Sequence, residues 1–434
     1  MKSQINLISF VGEGLFTSVL DSQVLVPLAF LGRQAPHVRR ALLILTSVRY
    51  RKDPRVPPRE KAIRATLPGA TVLFKYRTPP GMPFQQRLWA AQLRTALREC
   101  GYTAATGPIV VHCRGRETAA TAVAVKRHDP RLKVLYDVRG AGVDEVNLPG
   151  LLGWYFRRTA DRDVRFALRG ADAVNTVSHK LAQHLRETGA WTRPIPSSVV
   201  GCCADTRRFY FDPAMRAARR KELGFDQRFV VCYSGAMWHW QRPDAIAAAF
   251  AAIRSAMPDA HMLILSREPE KLLDHLARLA VPADAVTVHA AAHDQVASYL
   301  MAADVALLLR ENSLTNQVAS PVKFAEYLRC GLPVLLTPYI GDLSAVAVEE
   351  GVGLTVDFPV QAEQVIQAAR TLRERLAAEG DHCRAACSRL AAERFSWDVH
   401  AGELIRLYET LVQQPSGTEV CATAGRDPAC RQEL

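Results

Sequence analysis

The sequence predicts an α/β protein with two Rossmann-like domains, each built on a parallel sheet. Short apolar runs alternate with amphipathic helical stretches along most of the chain, which is the pattern of βαβ units. Several of the runs end in glycine or in charged residues, as strands do at the carboxyl edge of a parallel sheet. The 434 residues are enough for two cores of ordinary size.

In the first half, strands are expected at 5–11, 41–47, 71–76, 108–111, 133–136 and 171–178. The first strand runs into a loop with Gly12 and Gly14, and a helix over 16–31 follows. Strand, glycine loop and helix open a Rossmann-like unit, although the Gly-x-Gly-x-x-Gly pattern is incomplete. Pro27 is expected to kink or shorten this helix, and the pair Pro57-Pro58 argues against a continuous helix there.

Charged residues follow two later strands of this half. Arg114 comes after the strand at 108–111, while Asp137 and Arg139 come after the strand at 133–136. Open α/β sheets bind ligands at the carboxyl ends of their strands, so these side chains are candidates for a functional edge.

In the second half, strands are expected at 229–233, 261–265, 285–289, 305–309 and 334–336, with helices at 244–257, 293–302 and 370–394 and a last helix to 413. Gly235 follows the first of these strands and would let the backbone approach a phosphate closely. Arg267 and Arg310 end two further strands, so both would point to the same carboxyl edge.

The stretch 316–336, NQVASPVKFAEYLRCGLPVLL, contains a short helix followed by a buried strand. Ser320 is expected to be the N-cap, Pro321 suits the first helical position, and Gly331 suits the left-handed residue after the helix. The start of a helix attracts anions, and Lys323 adds a positive charge in the first turn. Glu326 can accept hydrogen bonds from two hydroxyl groups. An anion joined to a diol describes a nucleoside diphosphate with its ribose.

The whole string Ser-Pro-x-Lys-x-x-Glu-Tyr-Leu-x-x-Gly-x-Pro-Val, from Ser320 to Val334, resembles the donor-site signature of retaining glycosyltransferases of family 4. That resemblance implies the GT-B fold, in which two Rossmann-like parallel-sheet domains face a central cleft and a C-terminal helix crosses back to the first domain. In the family, the second Glu of a Glu-x7-Glu pattern holds the ribose, and Glu326 matches it. Val318 occupies the position of the first Glu, so the resemblance is to a Ser-Pro-x-Lys branch.

The resemblance also assigns the other candidate residues. The donor would be bound by Gly235, Arg267, Asn316, Ser320, Pro321, Lys323 and Glu326. Lys323 and Glu326 would also take part in catalysis, together with Asp137 and Arg139, which stand where the family commonly has a histidine. Gly12, Gly14 and Arg114 would face the acceptor. The family often grips the diphosphate with an Arg and a Lys after the glycine at 235, but this chain has Met237-Trp238-His239-Trp240-Gln241 there.

The expected boundaries are an acceptor domain over 1–203, a linker over 204–228, a nucleotide-sugar domain over 229–395, a crossing helix over 396–413 and a disordered tail over 414–434. The expected activity is hexosyl transfer, with retention, from a nucleoside diphosphate sugar to a glycan or lipid-linked acceptor in bacterial cell-surface polysaccharide synthesis. No cofactor is expected, and no Asp-x-Asp or histidine cluster suggests a metal. The alternatives are a GT-B nucleotide-sugar epimerase or hydrolase and a non-enzymatic protein that binds polyanions.

The charge distribution concerns location and partners. Residues 1–200 carry a net charge of +17 and the remainder −5, within a total of +12. A basic run in the first half contains Arg49, Arg51, Lys52, Arg55, Arg59, Lys61 and Arg64. The run suggests peripheral attachment of a cytoplasmic enzyme to the anionic inner face of the membrane. The basic residues are not interleaved with aromatic ones in a recognition motif, so a nucleic acid partner is not expected. No apolar stretch is long enough to span a bilayer, and the ten scattered cysteines are expected to be free thiols.

Overall fold

The computed structural model describes residues 4–77, 84–103, 106–142, 149–237, 239–291 and 295–413. The strands are β1 Ile5–Val11, β2 Val38–Ser47, β3 Thr71–Arg77, β4 Ile109–Arg114, β5 Leu132–Val138, β6 Ala173–Thr176, β7 Ser197–Val199, β8 Phe229–Ser234, β9 Ala260–Leu265, β10 Val286–His289, β11 Val305–Leu308, β12 Val334–Leu336 and β13 Gly353–Thr355. The first helices are α1 Ser18–Leu20, α2 Val26–Gln34, α3 Val56–Thr66, α4 Gln85–Glu99, α5 Arg116–Lys126, α6 Gly150–Gly170, α7 His179–Glu187 and α8 Pro213–Glu222. The later helices are α9 Pro243–Ala256, α10 Glu270–Arg278, α11 Val296–Met301, α12 Leu314–Gln317, α13 Val322–Arg329, α14 Leu343–Glu349, α15 Ala362–Glu379, α16 Asp381–Arg394 and α17 Trp397–Gln413.

The chain folds into two compact units. The first comprises the described residues within Met1–Thr176, Leu185–Val199 and Ala401–Leu434, and the second those within Val177–His184 and Val200–His400. Most of α17 therefore belongs to the first unit, as expected for a terminal helix that returns to the first domain. The expected linker 204–228 includes α8, which lies in the second unit.

Each unit contains one parallel sheet, and this confirms the predicted fold class. Within the described residues, the first sheet has seven strands in the order β3-β2-β1-β4-β5-β6-β7, and the second has six in the order β10-β9-β8-β11-β12-β13. In both sheets the strand order reverses direction beside the first strand, between β1 and β4 and between β8 and β11. Ligands of open α/β sheets bind at such reversals, outside the carboxyl ends of the strands.

The core of the second unit lies on both faces of its sheet, because successive side chains of a strand point to opposite faces. Val230 and Cys232 of β8 pack into one apolar cluster with α13, while Phe229, Val231 and Tyr233 pack into the other with α9. This alternation explains why the strand is apolar throughout rather than at every second position.

The two predictions about proline had different outcomes, and the one for Pro57-Pro58 was wrong. At Pro27 the helical segment changes type locally, because a π-helical turn, Asp21–Leu25, precedes α2 and the N–H of Val26 donates to the carbonyl of Asp21. The π-helical turn shifts the backbone hydrogen bonds by one residue, and this accommodates Pro27, which has no N–H to donate. Pro57 and Pro58 lie in the first turn of α3, where N–H groups have no partner within the helix and proline is tolerated.

A third difference concerns the predicted helix 370–394, which the structure divides into α15 and α16. Gly380 separates them with a φ of 53°, a left-handed conformation that glycine adopts without a steric penalty. Two strands are also longer than expected. β4 includes His112 and Arg114, and β5 includes Asp137, so these charged side chains belong to the strands themselves.

The described residues contain no helix that is both long enough and apolar enough to cross a bilayer. The cysteines in the described ranges form no disulfide bond, as expected. The expected disordered tail, 414–434, lies outside the described residues.

Candidate functional site

Helix α13 presents Lys323 and Glu326 near its N-terminus. The N-cap is Pro321, whose backbone is extended, with a φ of −70° and a ψ of 127°, and no side chain caps the helix. The prediction that Ser320 is the N-cap was therefore wrong by one residue. Its hydroxyl accepts a hydrogen bond from the N–H of Cys202 at 3.1 Å instead. Without a side-chain cap, the first N–H groups of the helix keep their capacity to bind an anion, although that of Phe324 already donates to the carbonyl of Pro321 at 3.2 Å.

The other end of α13 follows the prediction. Gly331 has a φ of +77°, the N–H of Gly331 donates to the carbonyl of Leu328, and the N–H of Leu332 donates to that of Tyr327. These two bonds form a Schellman motif. Tyr327 also fixes the helix against β8, because its hydroxyl accepts from the N–H of Ser234 at 2.9 Å.

The amine of Lys323 lies against the turn that follows β8. Its Nζ donates to the hydroxyl of Tyr233 and to Oε1 of Gln241, each at 3.1 Å, and lies 4.4 Å from the centre of the Tyr233 ring. A Cβ on Gly235 would lie 2.3 Å from this nitrogen, and Gly235 has a φ of +133°. A side chain at position 235 would displace the amine, and the positive φ there also favours glycine. Burial, together with the charge of Arg310, lowers the pKa of Lys323 to about 7.

Glu326 lies one turn further along the same face of α13. Burial raises the pKa of its carboxyl to about 8, and the nearby Lys323 opposes that shift. No ion pair within 4.0 Å joins the two side chains in the part of the chain that the structure describes. The site therefore contains a partly desolvated acid and a partly desolvated base, and a charged ligand can change the protonation of both.

Arg310 provides a second positive charge beside Lys323. It follows β11, and its side chain is almost fully buried. Its Nη1 donates to Oδ1 of Asn316 at 3.2 Å, while its Nε has no hydrogen-bond partner. In the described ranges no carboxylate forms an ion pair with it, and burial lowers its pKa to about 10. A buried guanidinium without a counter-ion is costly, so this arrangement favours an anionic ligand.

Asn316 holds the loop between β11 and α13 in shape. Its Nδ2 donates to the backbone carbonyl of Glu311 at 3.0 Å, and its backbone carbonyl accepts from the N–H of Gly341 at 3.0 Å. Because both atoms of its amide are engaged with the protein, Asn316 positions Arg310. Arg267, which was also predicted to bind the donor, is exposed just beyond β9. The charge that acts on Lys323 is that of Arg310, which contributes to the lowered pKa of the amine.

A second polar cluster lies at the carboxyl edge of the sheet in the first unit, and Asp137 is at its centre. Its carboxylate accepts from Nδ2 of Asn175 at 2.8 Å and from Nη1 of Arg139 at 3.3 Å. Nη1 of Arg114 and Nε2 of His112 are each 3.5 Å away. Burial alone would raise the pKa of Asp137, but Arg139, His112 and Arg114 hold it well below its usual range. Asp137 is therefore a carboxylate at neutral pH and a poor proton acceptor.

His112 and Arg114 extend this cluster to neighbouring elements. Nδ1 of His112 is 2.7 Å from the hydroxyl of Tyr408 on α17, and Nε of Arg114 donates to Glu13 at 2.8 Å. Gly12 and Gly14 flank Glu13 in the loop after β1, so the predicted acceptor-side residues lie at the reversal of the strand order between β1 and β4.

The structure thus brings Gly235, Lys323 and Glu326 together in one unit, and Arg114, Asp137 and Arg139 together in the other. The sequence analysis did not assign roles to Tyr233, Gln241, Tyr327 and His112. His112 could have been found from its place beside Arg114 at a strand end, and Tyr327 from its place in the motif. Gln241 gave no signal, because the short 3-10 helix His239–Gln241 in which it lies has no sequence motif. No group of three or more His, Cys, Asp or Glu residues within the described ranges could hold a metal ion.

Comparisons with known proteins concern the family and the fold. A family described as "Glycosyl transferases group 1" matches residues 228–375, which include Gly235, Arg310, Lys323 and Glu326. No curated protein sequence matches the chain.

Solved structures resemble the chain over nearly its whole length. Sucrose-phosphate synthase from Thermosynechococcus elongatus is 16% identical with a TM-score of 0.71, covering 94% of this chain and 100% of that one. Anabaena HepE in complex with UDP-glucose is 14% identical with a TM-score of 0.67, covering 94% and 100%. WaaG, a glycosyltransferase involved in lipopolysaccharide biosynthesis, is 14% identical with a TM-score of 0.61, covering 94% and 98%. At such identities the similarity establishes the fold. The chain therefore has the GT-B fold, and its residues 228–375 are similar to the group 1 glycosyl transferases.

Proposed function

We propose that this chain transfers a sugar, with retention, from a nucleoside diphosphate sugar to a glycan or lipid-linked acceptor. The observation that carries the proposal is the pair of desolvated cations, Lys323 and Arg310, beside the uncapped start of α13. They lie in the group 1 domain, where its strand order reverses. A diphosphate supplies the negative charge that this arrangement lacks.

The ribose of the donor is assigned to Glu326. A carboxylate on the same face as Lys323, one turn beyond the anion site, can accept hydrogen bonds from two neighbouring hydroxyl groups. HepE, which shares the fold, has been solved with UDP-glucose, and this supports a nucleotide sugar as the donor.

Catalysis follows from stabilising the leaving group. The bond between the anomeric carbon and the diphosphate oxygen breaks, and the negative charge that develops on the diphosphate is met by Lys323, Arg310 and the N–H groups of α13. Fixed positive groups in a desolvated site stabilise such charge more than water does. The side chains that supply this charge are cationic, so the proposal requires no metal ion and no cofactor.

The acceptor is assigned to the carboxyl edge of the first sheet, where Arg114, Asp137 and Arg139 lie with His112. The acceptor hydroxyl forms the new bond to the anomeric carbon, and its proton passes to the departing phosphate oxygen. Asp137 is not the base, because its cationic neighbours keep it ionised. It holds Arg139 and His112 in place instead. The proposed setting is bacterial cell-surface polysaccharide synthesis by hexosyl transfer at the inner face of the membrane.

Nuclear magnetic resonance with UDP-, GDP- and ADP-sugars and a mixture of glycan and lipid-linked acceptors tests the proposal. We expect release of the nucleoside diphosphate that depends on the acceptor, together with a product that keeps the donor's anomeric configuration. Release of nucleoside diphosphate without any acceptor, accompanied by a free epimerised sugar, would establish the epimerase or hydrolase alternative instead. Inversion of the anomeric centre would contradict retention.

A further inference from the structure

The first two turns of α6 expose four large apolar side chains. Leu151 is 85% exposed, Leu152 59%, Trp154 57% and Tyr155 43%. Further along the helix the opposite face is packed into the unit through Ala160, Val164, Ala167 and Leu168. Four such residues within five positions form a continuous apolar surface, which soluble domains rarely expose unless it binds something.

The length of α6 explains why these residues are exposed. The helix has 21 residues and so spans roughly 31 Å, whereas the seven-residue strand β5 spans about 23 Å. The helix connects the parallel strands β5 and β6, so it begins at the carboxyl edge of the sheet and ends at the amino edge. Because α6 ends at Gly170 and β6 begins at Ala173, the helix ends close to the amino edge. We infer that the excess of about 8 Å, which is five or six residues, extends beyond the carboxyl edge. This is the segment that carries the apolar side chains, and Asp137 and Arg139 lie at the same edge.

The charge of this segment is positive. No acidic residue occurs from Gly150 to Ala160, and Arg157 and Arg158 directly follow the apolar residues. The guanidinium of Arg158 lies 5.6 Å from the centre of the Trp154 ring, and Arg158 shares a helical stripe with Leu151, Trp154 and Tyr155. The next acidic side chains are neutralised, since Asp161 pairs with Arg165 and Asp163 with Arg162. Leucine, tryptophan and tyrosine beside arginine are the composition of a helix that inserts into an anionic membrane surface.

The basic run 49–64 is less suited to binding an anionic membrane than its composition suggested, because several of its basic side chains form ion pairs. Asp53 pairs with Arg55 at 2.7 Å, Asp21 pairs with Arg59 at 2.7 Å, and Glu60 pairs with Arg64 at 3.5 Å. The four remaining basic residues of the run are Arg49, Arg51, Lys52 and Lys61.

We propose that the first two turns of α6 insert into an anionic bilayer. The insertion brings the carboxyl edge of the first sheet to the membrane surface. The acceptor is then an amphiphile whose apolar part stays in the bilayer while its polar end reaches the cluster around Asp137. The statement about the acceptor rests on the proposed function, whereas membrane binding by α6 does not.

Co-sedimentation of the full chain with phosphatidylcholine vesicles, with and without phosphatidylglycerol, tests the insertion. We expect binding that is stronger with phosphatidylglycerol and that salt weakens without abolishing, because part of the attraction is apolar. Changing Leu151, Leu152, Trp154 and Tyr155 together to Ser should weaken binding roughly tenfold or more. The matched control changes Leu279 and Val348, which are also exposed but lie in the second unit, to Ser. Wild-type binding by the fourfold variant would overturn the proposal.

Two further measurements separate the alternatives. The contribution of Trp154 to the tryptophan fluorescence is obtained by subtracting the spectrum of Trp154→Phe from that of the wild type. This difference spectrum should shift to shorter wavelength when vesicles are added, and an unshifted difference spectrum would contradict insertion. Sedimentation velocity tests whether the surface binds a second copy of the chain instead. The proposal is wrong if the wild type is a dimer, the fourfold variant is a monomer and neither protein binds vesicles.

Binding of a nucleoside diphosphate should be the same in the fourfold variant as in the wild type. Loss of donor binding with vesicle binding intact would therefore count against the proposed function and not against this inference.

Discussion

Lys323 and Glu326 are three residues apart on one helix face, and each is partly deprived of its charge by burial. The pKa of Lys323 is about 7 and that of Glu326 about 8, so near neutral pH the empty site holds much of both side chains in the neutral form. A bound diphosphate favours the charged amine, and ribose hydroxyl groups favour the charged carboxylate. The binding of the donor is therefore linked to protonation.

This linkage gives a prediction at pH 9, above both pKa values. There Glu326 is already ionised and Lys323 is mostly neutral, so a bound diphosphate should raise the pKa of Lys323 and draw a proton from the buffer. Calorimetric titration in buffers of different ionisation enthalpy should show net proton uptake. Lys323→Arg, whose guanidinium stays charged at this pH, should show none. Equal uptake by the two proteins would mean that Lys323 is not the group that titrates.

Glu326→Gln should weaken the binding of a nucleoside diphosphate by about 1.5–3 kcal/mol, because an amide accepts at only one atom where the carboxylate accepts at two. The fold should be unchanged, since Gln resembles the protonated form that burial already favours. Inorganic pyrophosphate is the matched control ligand, because it has no ribose. Calorimetry showing an equal loss of affinity for both ligands, or no loss for either, would remove Glu326 from the ribose site.

Lys323→Ala should lower turnover far more than it lowers the free energy of unfolding. The substitution removes a cation whose burial costs energy in the empty site, while the leaving diphosphate loses a positive neighbour. Circular dichroism during thermal unfolding, compared with the rate of nucleoside diphosphate release, checks this. A variant that is as active as the wild type would show that the amine has only a local contact role.

At the scale of the element, α13 and its two ends carry the donor site. The sequence predicted its helix, its glycine stop and the following strand, because capping and turn chemistry are local. The position of the N-cap could not be predicted, because Ser320 is drawn away by the backbone of Cys202, which is distant in sequence. The burial of Arg310 could not be predicted for the same reason, because Asn316 and neighbouring strands create its environment. The helix break at Gly380 and the π-helical turn before Pro27 are local backbone features that hydrophobic periodicity does not record.

Gly331→Ala should destabilise the second unit more than Gly224→Ala does. Both glycines end a helix with positive φ, +77° and +66°, so the strain of roughly 1–2 kcal/mol is shared. A Cβ at 331 would also lie 2.7 Å from the ring of Phe211, whereas nothing lies within 4 Å of a Cβ at 224. Urea unfolding of the two variants gives the difference directly. An equal loss would mean that the ring of Phe211 moves aside without cost.

At the scale of the whole molecule, each unit contains a buried aspartate with arginine partners. In the second unit, Asp304 forms ion pairs with Arg216, Arg220 and Arg384 at 2.5, 3.1 and 2.7 Å. In the first unit, Asp137 has the corresponding role. Burial alone would raise the pKa of Asp304, but these arginines lower it. The cluster around Asp304 could not be predicted from the sequence, because its partners come from two distant helices, α8 and α16. The strand pattern did place Arg114, Asp137 and Arg139 at one sheet edge, but it did not predict their ion pairs.

A lowered pKa in the folded state means that the unfolded chain binds more protons, so each aspartate stabilises its unit above the ordinary pKa near 3.8. This contribution is lost as the pH falls below that value. Thermal unfolding at a series of pH values should therefore show both units losing stability in acid. Asp304→Asn should lower the free energy of unfolding by about 3–5 kcal/mol at pH 7, because it leaves three buried arginines without a counter-ion. It should also make the stability of the second unit depend less on pH in acid, which is the acid limb of its stability curve. An unchanged acid limb would show that other carboxylates determine it.

The most direct test of the donor site compares two arginines that the sequence placed at the same sheet edge. Calorimetric titration of UDP, GDP and ADP is performed on the wild type, Arg310→Gln and Arg267→Gln. The account predicts that one of these nucleotides binds the wild type, that Arg267→Gln binds it almost as well, and that Arg310→Gln loses roughly tenfold or more in affinity because a charged hydrogen bond is removed. The empty Arg310→Gln protein should be at least as stable as the wild type, because a buried, uncompensated charge is gone. Undiminished nucleotide binding by a folded Arg310→Gln variant, or no binding of any nucleoside diphosphate by the wild type, would contradict the account.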